Sequence, residues 1–315
     1  MRLSPAMKNY AFREYNLSQF MLGTVQFGAN YGIANQAGRP SYQTVLKILE
    51  CAATNGVNCL DTAPAYGDSE KIIGRAIREL GIADKMTVVT KMPVMDDNLK
   101  PAEADRLIRQ GVEASLKNLQ LDVLPIYLFH KESNAAYADS LLLMKEKGLV
   151  KHAGVSVNSP EWALKTVRSG NFEAIQLPTS ILDQRYLKQG VFQEAKTRGI
   201  ALFVRSVYVQ GLLFLPENEM PAELSAVMET RRRLEQIAAK ANMSLAELAA
   251  CFVMSLEGAS CLVMGLETLE QLQDNLKLFE QESLSAELFR NIFENVPQLP
   301  DNVIVPHLWP KRFNK

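Results

Sequence analysis

Residues 60–70 read LDTAPAYGDSE, a stretch in which a short apolar run ends at Asp61 and gives way to the start of a helix, with Asp68 or Ser69 as its cap. Beyond the cap, apolar residues recur at i, i+3 and i+4 spacing, which indicates one buried helix face, at Ile72, Ile73, Ala76, Ile77 and Leu80. The stretch therefore predicts one unit of strand, loop and helix.

The same unit recurs along the chain. Short apolar runs predict eight strands, at Met21–Gln26, Cys59–Thr62, Thr87–Thr90, Pro125–Phe129, His152–Ser156, Ala174–Leu177, Ala201–Val204 and Cys261–Met264. Two helical patterns, at 223–241 and 245–256, precede the eighth strand, which indicates an extra helix there. This order predicts an α/β fold, the closed (β/α)8 TIM barrel, and no G-x-G-x-x-G fingerprint of a doubly wound sheet is present. We expect a single domain over residues 1–315, with a C-terminal helix and tail from about residue 285.

The composition narrows the class of protein. Of the 315 residues 47% are hydrophobic, and the net charge is −1, so nothing predicts a nucleic-acid or anionic-membrane partner. The four cysteines lack C-x-x-C spacing and the three histidines lack H-x-H spacing, so no metal site is expected. No apolar signal core and no 18-residue apolar run is found, which predicts a cytoplasmic protein with reduced thiols.

Four polar side chains are predicted at the carboxyl ends of consecutive strands, where barrels of this kind carry their chemistry: Asp61, Tyr66, Lys91 and His130. A phenol has an ordinary pKa of about 10, and a neighbouring ammonium such as Lys91 lowers it. Asp61 can hold the lysine in place, and His130 can donate a hydrogen bond to a substrate oxygen. Nothing in the set supplies electrons, so a hydride-carrying cofactor is the natural candidate.

Here the chain resembles the aldo-keto reductases. Four segments carry the resemblance in order: LGTVQFG (22–28), LDTAPAYGDSEKIIG (60–74), VVTK (88–91) and LFH (128–130). The resemblance implies a (β/α)8 barrel that binds a nicotinamide cofactor without a Rossmann fold. It also implies that Asp61, Tyr66, Lys91 and His130 are the catalytic tetrad, in which Tyr66 exchanges a proton with a carbonyl or alcohol substrate.

The resemblance also implies a cofactor-binding set. Ser156 and Gln176 would hold the nicotinamide amide, although Val157 stands where the family usually has an asparagine, and Asn158 follows it. Arg205 stands where an aromatic ring usually stacks on the nicotinamide, and a planar guanidinium can stack as well, or contact substrate. The full expected set is Gly23, Thr24, Asp61, Ser156, Gln176, Arg205, Ser206, Gly211, Gly265, Glu267, Gln271 and Asn275.

The choice of cofactor depends on two residues after Gly265. Members of the family that favour NADP place a serine or lysine and an arginine there, whereas this chain has Glu267 and Thr268. A carboxylate repels a 2'-phosphate but can accept hydrogen bonds from free ribose hydroxyls. We therefore expect NAD(H) to be used at least as well as NADP(H).

The substrate pocket is expected to be lined by loop residues: Phe27, Tyr31, Met92, Phe129, His130 and Trp309. Trp309 and His307, in the C-terminal tail, are expected either over the mouth or on the barrel exterior. Arg205 and the polar loop GANYGIANQAGRP (28–40) indicate a polar, sugar-like or acidic carbonyl substrate. Two alternatives stay open: a cofactor-binding regulatory barrel with little turnover, which a rate would reveal, and a Schiff-base lyase using Lys91.

Overall fold

The computed structural model describes residues 7–35 and 37–310. Two strands, β1 (Asn9–Phe12) and β2 (Tyr15–Ser18), form an antiparallel hairpin ahead of the barrel. Eight parallel strands then close into a barrel in which the last pairs with the first: β3 (Phe20–Gly23), β4 (Cys59–Asp61), β5 (Thr87–Met92), β6 (Leu124–Phe129), β7 (Val150–Ser156), β8 (Ala174–Pro178), β9 (Ala201–Arg205) and β10 (Ala259–Gly265). The predicted (β/α)8 barrel is confirmed.

Helices follow the barrel strands and cover the outside of the barrel. They are α1 (Val25–Gly28), α2 (Tyr42–Thr54), α3 (Ser69–Glu79), α4 (Pro101–Leu119), α5 (Ala138–Glu146), α6 (Pro160–Ser169), α7 (Arg185–Lys188), α8 (Val191–Thr197), α9 (Val227–Lys240), α10 (Leu245–Met254), α11 (Leu269–Phe279), α12 (Ala286–Asn295) and α13 (Asp301–Ile304). Short 3-10 turns lie at Ala83–Lys85, Glu132–Tyr137, Val209–Phe214, Glu217–Glu219, Ala222–Leu224 and Pro306–Leu308. The extra helix expected before the eighth barrel strand is present as α9 and α10.

The prediction of where the first barrel strand ends was wrong. The strand was expected to reach Gln26, but β3 stops at Gly23 and Thr24 begins helix α1. The physical reason is a contact distant in sequence, because the Thr24 amide donates to the carbonyl of Asp61 at 3.0 Å and its hydroxyl donates to the same oxygen at 2.8 Å. This double contact ties the end of β3 to the end of β4 and turns the chain out of the barrel.

The β1–β2 hairpin, which the sequence pattern did not predict, closes the amino-terminal end of the barrel. Phe12 and Leu17 are buried in one cluster with the side chains that fill the barrel interior, namely Met21, Cys59, Val89, Ile126, Leu128, Ala174, Ala201, Phe203 and Cys261. A barrel filled in this way is a packed core and not a pore. The opposite, carboxyl-terminal end is therefore where a ligand can enter.

No single helix within residues 7–35 and 37–310 is long and apolar enough to cross a membrane. Helices α9 and α10 have the length and composition required of a membrane span only when they are taken together, and the chain bends by 88° between them.

A buried charge cluster joins the hairpin to the bottom of the barrel. The ring of His152, on β7, lies 2.9 Å from a Glu14 carboxylate oxygen and 3.2 Å from one of Glu173. Burial disfavours the charged ring, but the two carboxylates outweigh burial and raise the pKa of His152 above its ordinary value. Burial likewise opposes the charge of Glu173, yet His152 and Lys145 lower its pKa to about 2.

We expect this cluster to make stability depend on pH. A histidine whose pKa is raised by folding stabilises the folded state fully below the unfolded value of about 6.5, and this contribution is lost as the pH rises through the folded value. The free energy of unfolding, measured by urea titration, should therefore fall as the pH rises above about 6.5. The fall should shrink in His152→Gln and persist in His307→Gln, which removes an exposed histidine. An equal fall in His152→Gln would contradict the assignment.

Candidate active site

A cavity of about 620 Å³ opens at the carboxyl ends of the barrel strands. Consecutive strands and their following loops contribute to its lining, among them Asp61, Tyr66, His130, Ser156, Gln176 and Arg205. These polar side chains thus lie at one mouth of the barrel, as the sequence predicts. Lys91 lies directly behind this surface, fully buried and outside the lining.

A buried ion pair lies at the base of the cavity. The Lys91 ammonium is 2.6 Å from Oδ1 of Asp61 and donates to the carbonyl of Thr62 at 2.9 Å. Burial lowers the pKa of Lys91, and Asp61 acts against that fall. Oδ1 of Asp61 also accepts a hydrogen bond from Nε2 of Gln176 at 2.7 Å. Asp61 therefore fixes side chains from two other strands, β5 and β8.

Tyr66 extends over this ion pair from the loop after β4. The centroid of its ring lies 4.9 Å from the Lys91 ammonium and 5.9 Å from the centroid of the His130 ring, which is nearly perpendicular at 87°. Burial and the negative charge of Asp61 raise the pKa of Tyr66, and Arg205 only partly opposes them. The expectation that a neighbouring ammonium lowers this pKa is not met, because burial and Asp61 outweigh it. The phenol therefore stays protonated at neutral pH and is a proton donor.

His130 is neutral in this setting. Its burial, followed by the positive charges of Lys91 and Arg205, lowers its pKa to about 3. Within the described part of the chain its Nδ1 atom has no hydrogen-bond partner. A neutral ring beside a protonated phenol can orient a carbonyl oxygen without competing as an acid.

Two glycines that the sequence analysis overlooked hold Tyr66 in place. A Cβ on Gly28 would lie 1.6 Å from the carbonyl oxygen of Tyr66, and one on Gly67 would lie 2.5 Å from the carbonyl oxygen of Gly28. Gly67 also has a φ of +61°, a conformation that favours glycine. The dipeptides FG (27–28) and YG (66–67) thus mark a close approach of two backbone segments, which spacing alone could not reveal.

Most of the expected cofactor-binding residues line the cavity: Gly23, Thr24, Asp61, Ser156, Gln176, Arg205, Ser206, Gly211, Gly265, Glu267 and Gln271. Asn275 is absent from the lining, because it lies one turn further along α11 than Gln271, which is at the cavity. Gln271 closes a capping box with Thr268, so its side-chain oxygen already accepts from the amides of Glu267 and Thr268.

Buried polar atoms test whether a nicotinamide nucleotide fits the cavity. Oε1 of Gln176 is buried with no hydrogen-bond partner in residues 7–35 and 37–310, and the same holds for Oε1 of Gln26. An unpaired buried acceptor is costly, and an amide or hydroxyl group of a ligand would satisfy it. Gln26, which sequence reasoning missed, also lies against Gly265, where a Cβ would meet its Oε1 at 2.6 Å. The lining therefore fits a ligand rich in amide and hydroxyl groups.

The loop after β9 meets the loop after α1 across the mouth. Ser206, Gln210 and Gly211 have φ angles of +64°, +55° and +91°, so the backbone turns sharply there. Nε2 of Gln210 donates to the hydroxyl of Tyr31 at 2.8 Å, and a Cβ on Gly211 would lie 2.5 Å from that of Ala34. Consecutive left-handed residues of this kind form anion-binding concavities in other proteins.

Arg205 ends β9 and is tied to the neighbouring strand end. Its Nη2 donates to the Val157 carbonyl at 3.1 Å and to Oδ1 of Asn158 at 2.7 Å. Asn158, which follows the position of the missing family asparagine, is therefore engaged with Arg205.

The expected substrate pocket needs correction. Tyr31 and His130 line the cavity, but Phe27, Met92 and Phe129 are fully or nearly fully buried in the core between barrel and helices. The side chains of Met92 and Phe129 point outward from the barrel because successive residues of a strand face opposite sides, whereas Phe27 lies in helix α1. Trp309 is buried too, and its indole nitrogen donates to the carbonyl of Val303 at 3.0 Å. The tail up to residue 310 contributes no residue to the cavity lining, and residues 311–315 lie outside the described residues.

Other lining residues were not anticipated from the sequence. They include Val94, Lys131, Val207, Tyr208 and Phe214, which come from loops whose pattern carries no periodic signal. Among the described residues, no group of three or more His, Cys, Asp or Glu side chains converges as a metal site would require.

Comparisons with known proteins agree with this geometry. The family model described as the aldo/keto reductase family matches residues 19–295. The chain is 31% identical over 186 residues to Aldo-keto reductase YhdN of Bacillus subtilis (strain 168), covering 56% of this chain and 55% of that protein. It is 28% identical over 222 residues to the NADH-specific methylglyoxal reductase of Escherichia coli (strain K12), covering 64% of this chain and 66% of that protein. The chain therefore spans between about half and two thirds of the length of these relatives.

Among solved structures, the fold is similar to that of the aldo-keto reductase AKR11C1 from Bacillus halodurans in its holo form. The TM-score is 0.77 at 20% identity, with 96% of this chain and 99% of that chain covered. The match of the family model over most of the chain, joined to the closed barrel and the polar cavity at its mouth, identifies the chain as a member of the aldo/keto reductase family.

Proposed function

We propose that this protein is an oxidoreductase that reduces a carbonyl compound with NADH or NADPH, and that Tyr66 is its general acid. The observation that carries the proposal is the arrangement of a protonated Tyr66 and a neutral His130 on the cavity wall, directly in front of the Lys91–Asp61 ion pair. This arrangement suits proton delivery to one oxygen atom, and it contains no strong nucleophile facing the cavity.

The cofactor would be held by the cavity lining. Ser156 and the unpaired Oε1 of Gln176 would bind the nicotinamide amide, and the small or sharply turned residues Ser206 and Gly211 would let the backbone approach the pyrophosphate. When bound, the nicotinamide supplies the hydride, which none of the protein side chains can supply.

The remaining steps belong to the protein. His130 donates a hydrogen bond to the carbonyl oxygen and fixes its direction. Tyr66 transfers its proton to that oxygen, and the Lys91 ammonium, 4.9 Å from the ring centroid, stabilises the phenolate that is left. Asp61 keeps Lys91 charged and in place at 2.6 Å. In alcohol oxidation the same groups act in reverse.

The lyase alternative loses support from the position of Lys91. Its amine is engaged with Asp61 and Thr62 and lies behind the cavity wall, whereas a Schiff base needs an amine that a substrate carbonyl can reach. The regulatory alternative differs from the proposal only in turnover, so kinetics distinguish the two.

For the cofactor, we favour NADH used at least as well as NADPH, and for the substrate a small polar carbonyl compound. Glu267 lines the cavity in the segment expected to face the adenosine ribose, where its carboxylate would repel a 2'-phosphate. The Escherichia coli relative is an NADH-specific methylglyoxal reductase by name, which supports both choices. The four free cysteines agree with a cytoplasmic location.

The general-acid role is tested with Tyr66→Phe. We expect kcat for aldehyde reduction to fall by about 100- to 10,000-fold while the Kd for NADH changes little, since only the transferable proton is removed. Tyr186→Phe is the matched control, because this tyrosine is buried outside the cavity and its hydroxyl has no partner in the described residues. Unchanged kcat in Tyr66→Phe would refute the proposal.

The pH dependence of single-turnover reduction gives a second test. Tyr66 has a raised pKa and His130 has a pKa of about 3, so both stay in their active forms across the neutral range. The rate should be flat from about pH 5 to about pH 9, whereas alcohol oxidation, which needs the phenolate, should rise with pH. A loss of reduction rate centred near pH 6.5 would show instead that His130 is an ordinary titrating histidine.

The cofactor preference is tested with Glu267→Lys. Replacing the carboxylate by an ammonium should tighten NADPH relative to NADH by about 10-fold in Kd. Glu270→Lys makes the same charge change in the exposed first turn of α11, outside the cavity, and should leave the ratio unchanged. Equal shifts in the two variants would show that Glu267 does not face the ribose.

A further inference from the structure

Arg205 is a cation at the reacting end of the cavity that lacks an acidic partner. Within residues 7–35 and 37–310, its side chain makes two hydrogen bonds, both donated by Nη2, to the carbonyl of Val157 and to Oδ1 of Asn158. Neither acceptor carries a charge. The guanidinium is half-buried, so water compensates its charge only in part.

The other cations near the reacting end are already neutralised. Lys91 pairs with Asp61 at 2.6 Å, and Lys131, which also lines the cavity, pairs with Asp97 at 2.6 Å. The charge of Arg205 acts to lower the pKa of Glu132, but the Glu132 carboxylate accepts from the backbone amide of Asn158 and forms no ion pair with the guanidinium. Arg205 is thus left as the uncompensated charge facing this end of the cavity.

The contacts of Arg205 also fix which of its N–H groups stay available. A guanidinium has five N–H donors in a planar fork, and the two bonds from Nη2 orient that plane. Within the described residues, the Nε and Nη1 groups donate no hydrogen bond, so they remain available to a ligand. Each of these groups can donate a charge-assisted hydrogen bond to a carboxylate oxygen, whereas both two-donor faces of the guanidinium include the engaged Nη2.

The charge of Arg205 acts on the two reacting side chains, Tyr66 and His130. Its charge contributes to the lowered pKa of His130 and acts against the raised pKa of Tyr66. The only other unpaired charge on the cavity wall that we identify in the described residues is Glu267, on the segment after β10, and it would repel an anion. An anionic group on a substrate is therefore directed to the Arg205 end.

We propose that Arg205 binds a carboxylate of the substrate, so that the preferred substrates are short oxo acids whose aldehyde or ketone group reaches Tyr66 and His130. This inference rests on the proposed carbonyl reductase function and adds the substrate class. A carboxylate at Arg205 leaves the carbonyl at the other end of a short chain free to meet the phenol. The competing role of Arg205 is contact with the cofactor, by stacking on the nicotinamide, and the experiment separates this role from binding of a substrate carboxylate.

The kinetic test compares 4-oxobutanoate with its methyl ester, which has the same aldehyde but no negative charge. We expect kcat/KM of the wild-type protein to favour the acid by about 10- to 100-fold, as charge-assisted hydrogen bonds imply. Arg205→Gln should reduce this preference to near unity, and Arg205→Lys should keep part of it, since it keeps the charge but loses the fixed orientation of the N–H donors. Taking the ratio of two substrates within one variant removes any effect on cofactor binding.

Lys131→Gln is the matched control, because it removes a cation that also lines the cavity but is paired with Asp97. The preference for the acid should survive in this variant. Its loss there, to the same extent as in Arg205→Gln, would show that the preference reflects the general potential of the cavity and would overturn the assignment to Arg205.

A binding measurement gives a readout independent of turnover. Calorimetric titration of the NADH-loaded protein with butanoate and with butanamide compares an unreactive carboxylate with a neutral ligand of the same shape. Butanoate should bind more tightly in the wild type, and the difference should vanish in Arg205→Gln. Loss of NADH affinity in Arg205→Gln, with the acid preference intact, would assign Arg205 to the cofactor and overturn the proposal.

The outcomes also separate this inference from the proposed function. Turnover of the ester and the acid at equal kcat/KM would overturn the carboxylate assignment and leave the reductase proposal standing. NADH binding without turnover of either aldehyde, or of methylglyoxal, would count against the reductase proposal and would overturn this inference with it.

Discussion

The buried ion pair between Lys91 and Asp61 is the interaction on which the site depends. It joins adjacent barrel strands at 2.6 Å, and Gln176 from a third strand donates to the same carboxylate oxygen. Removing two charges from water is costly, and a hydrophobic pair of the same volume would often be as stable. The pair gives the protein a charge of fixed position beneath Tyr66, which an apolar core could not provide.

The charge of each ionisable side chain in the cavity depends on burial and on whether a group of opposite charge lies beside it. Asp61 balances Lys91, so the positive field that reaches Tyr66 is weak and burial keeps the phenol protonated. His130 stays neutral because burial and the charges of Lys91 and Arg205 lower its pKa. Arg205 alone at this end keeps a charge that no acidic group within the described residues pairs with. One end of the cavity thus holds a protonated phenol, a neutral imidazole and an unpaired guanidinium.

Much of this arrangement could be predicted from the amino-acid sequence. The alternation of apolar runs and amphipathic patterns predicted the closed barrel, because in a parallel barrel every strand is buried on both faces and every helix on one. The barrel rule then placed Asp61, Lys91 and His130 at one mouth, since parallel strands all end on the same side. The motif segments that resemble the aldo-keto reductases predicted the family that the comparison found.

The sequence by itself determined the fold, the family and the presence of Asp61, Tyr66 and His130 at one mouth, which depend on local periodicity, motif order and chain direction. The tertiary structure decided the direction of the Tyr66 pKa, the removal of Phe27 and Phe129 from the pocket, and the engagement of Asn158 by Arg205. It also revealed Gln26 and the Gly28–Gly67 contact. These features depend on burial and on contacts between segments distant in the chain, and neither quantity is encoded in the spacing of residues along it.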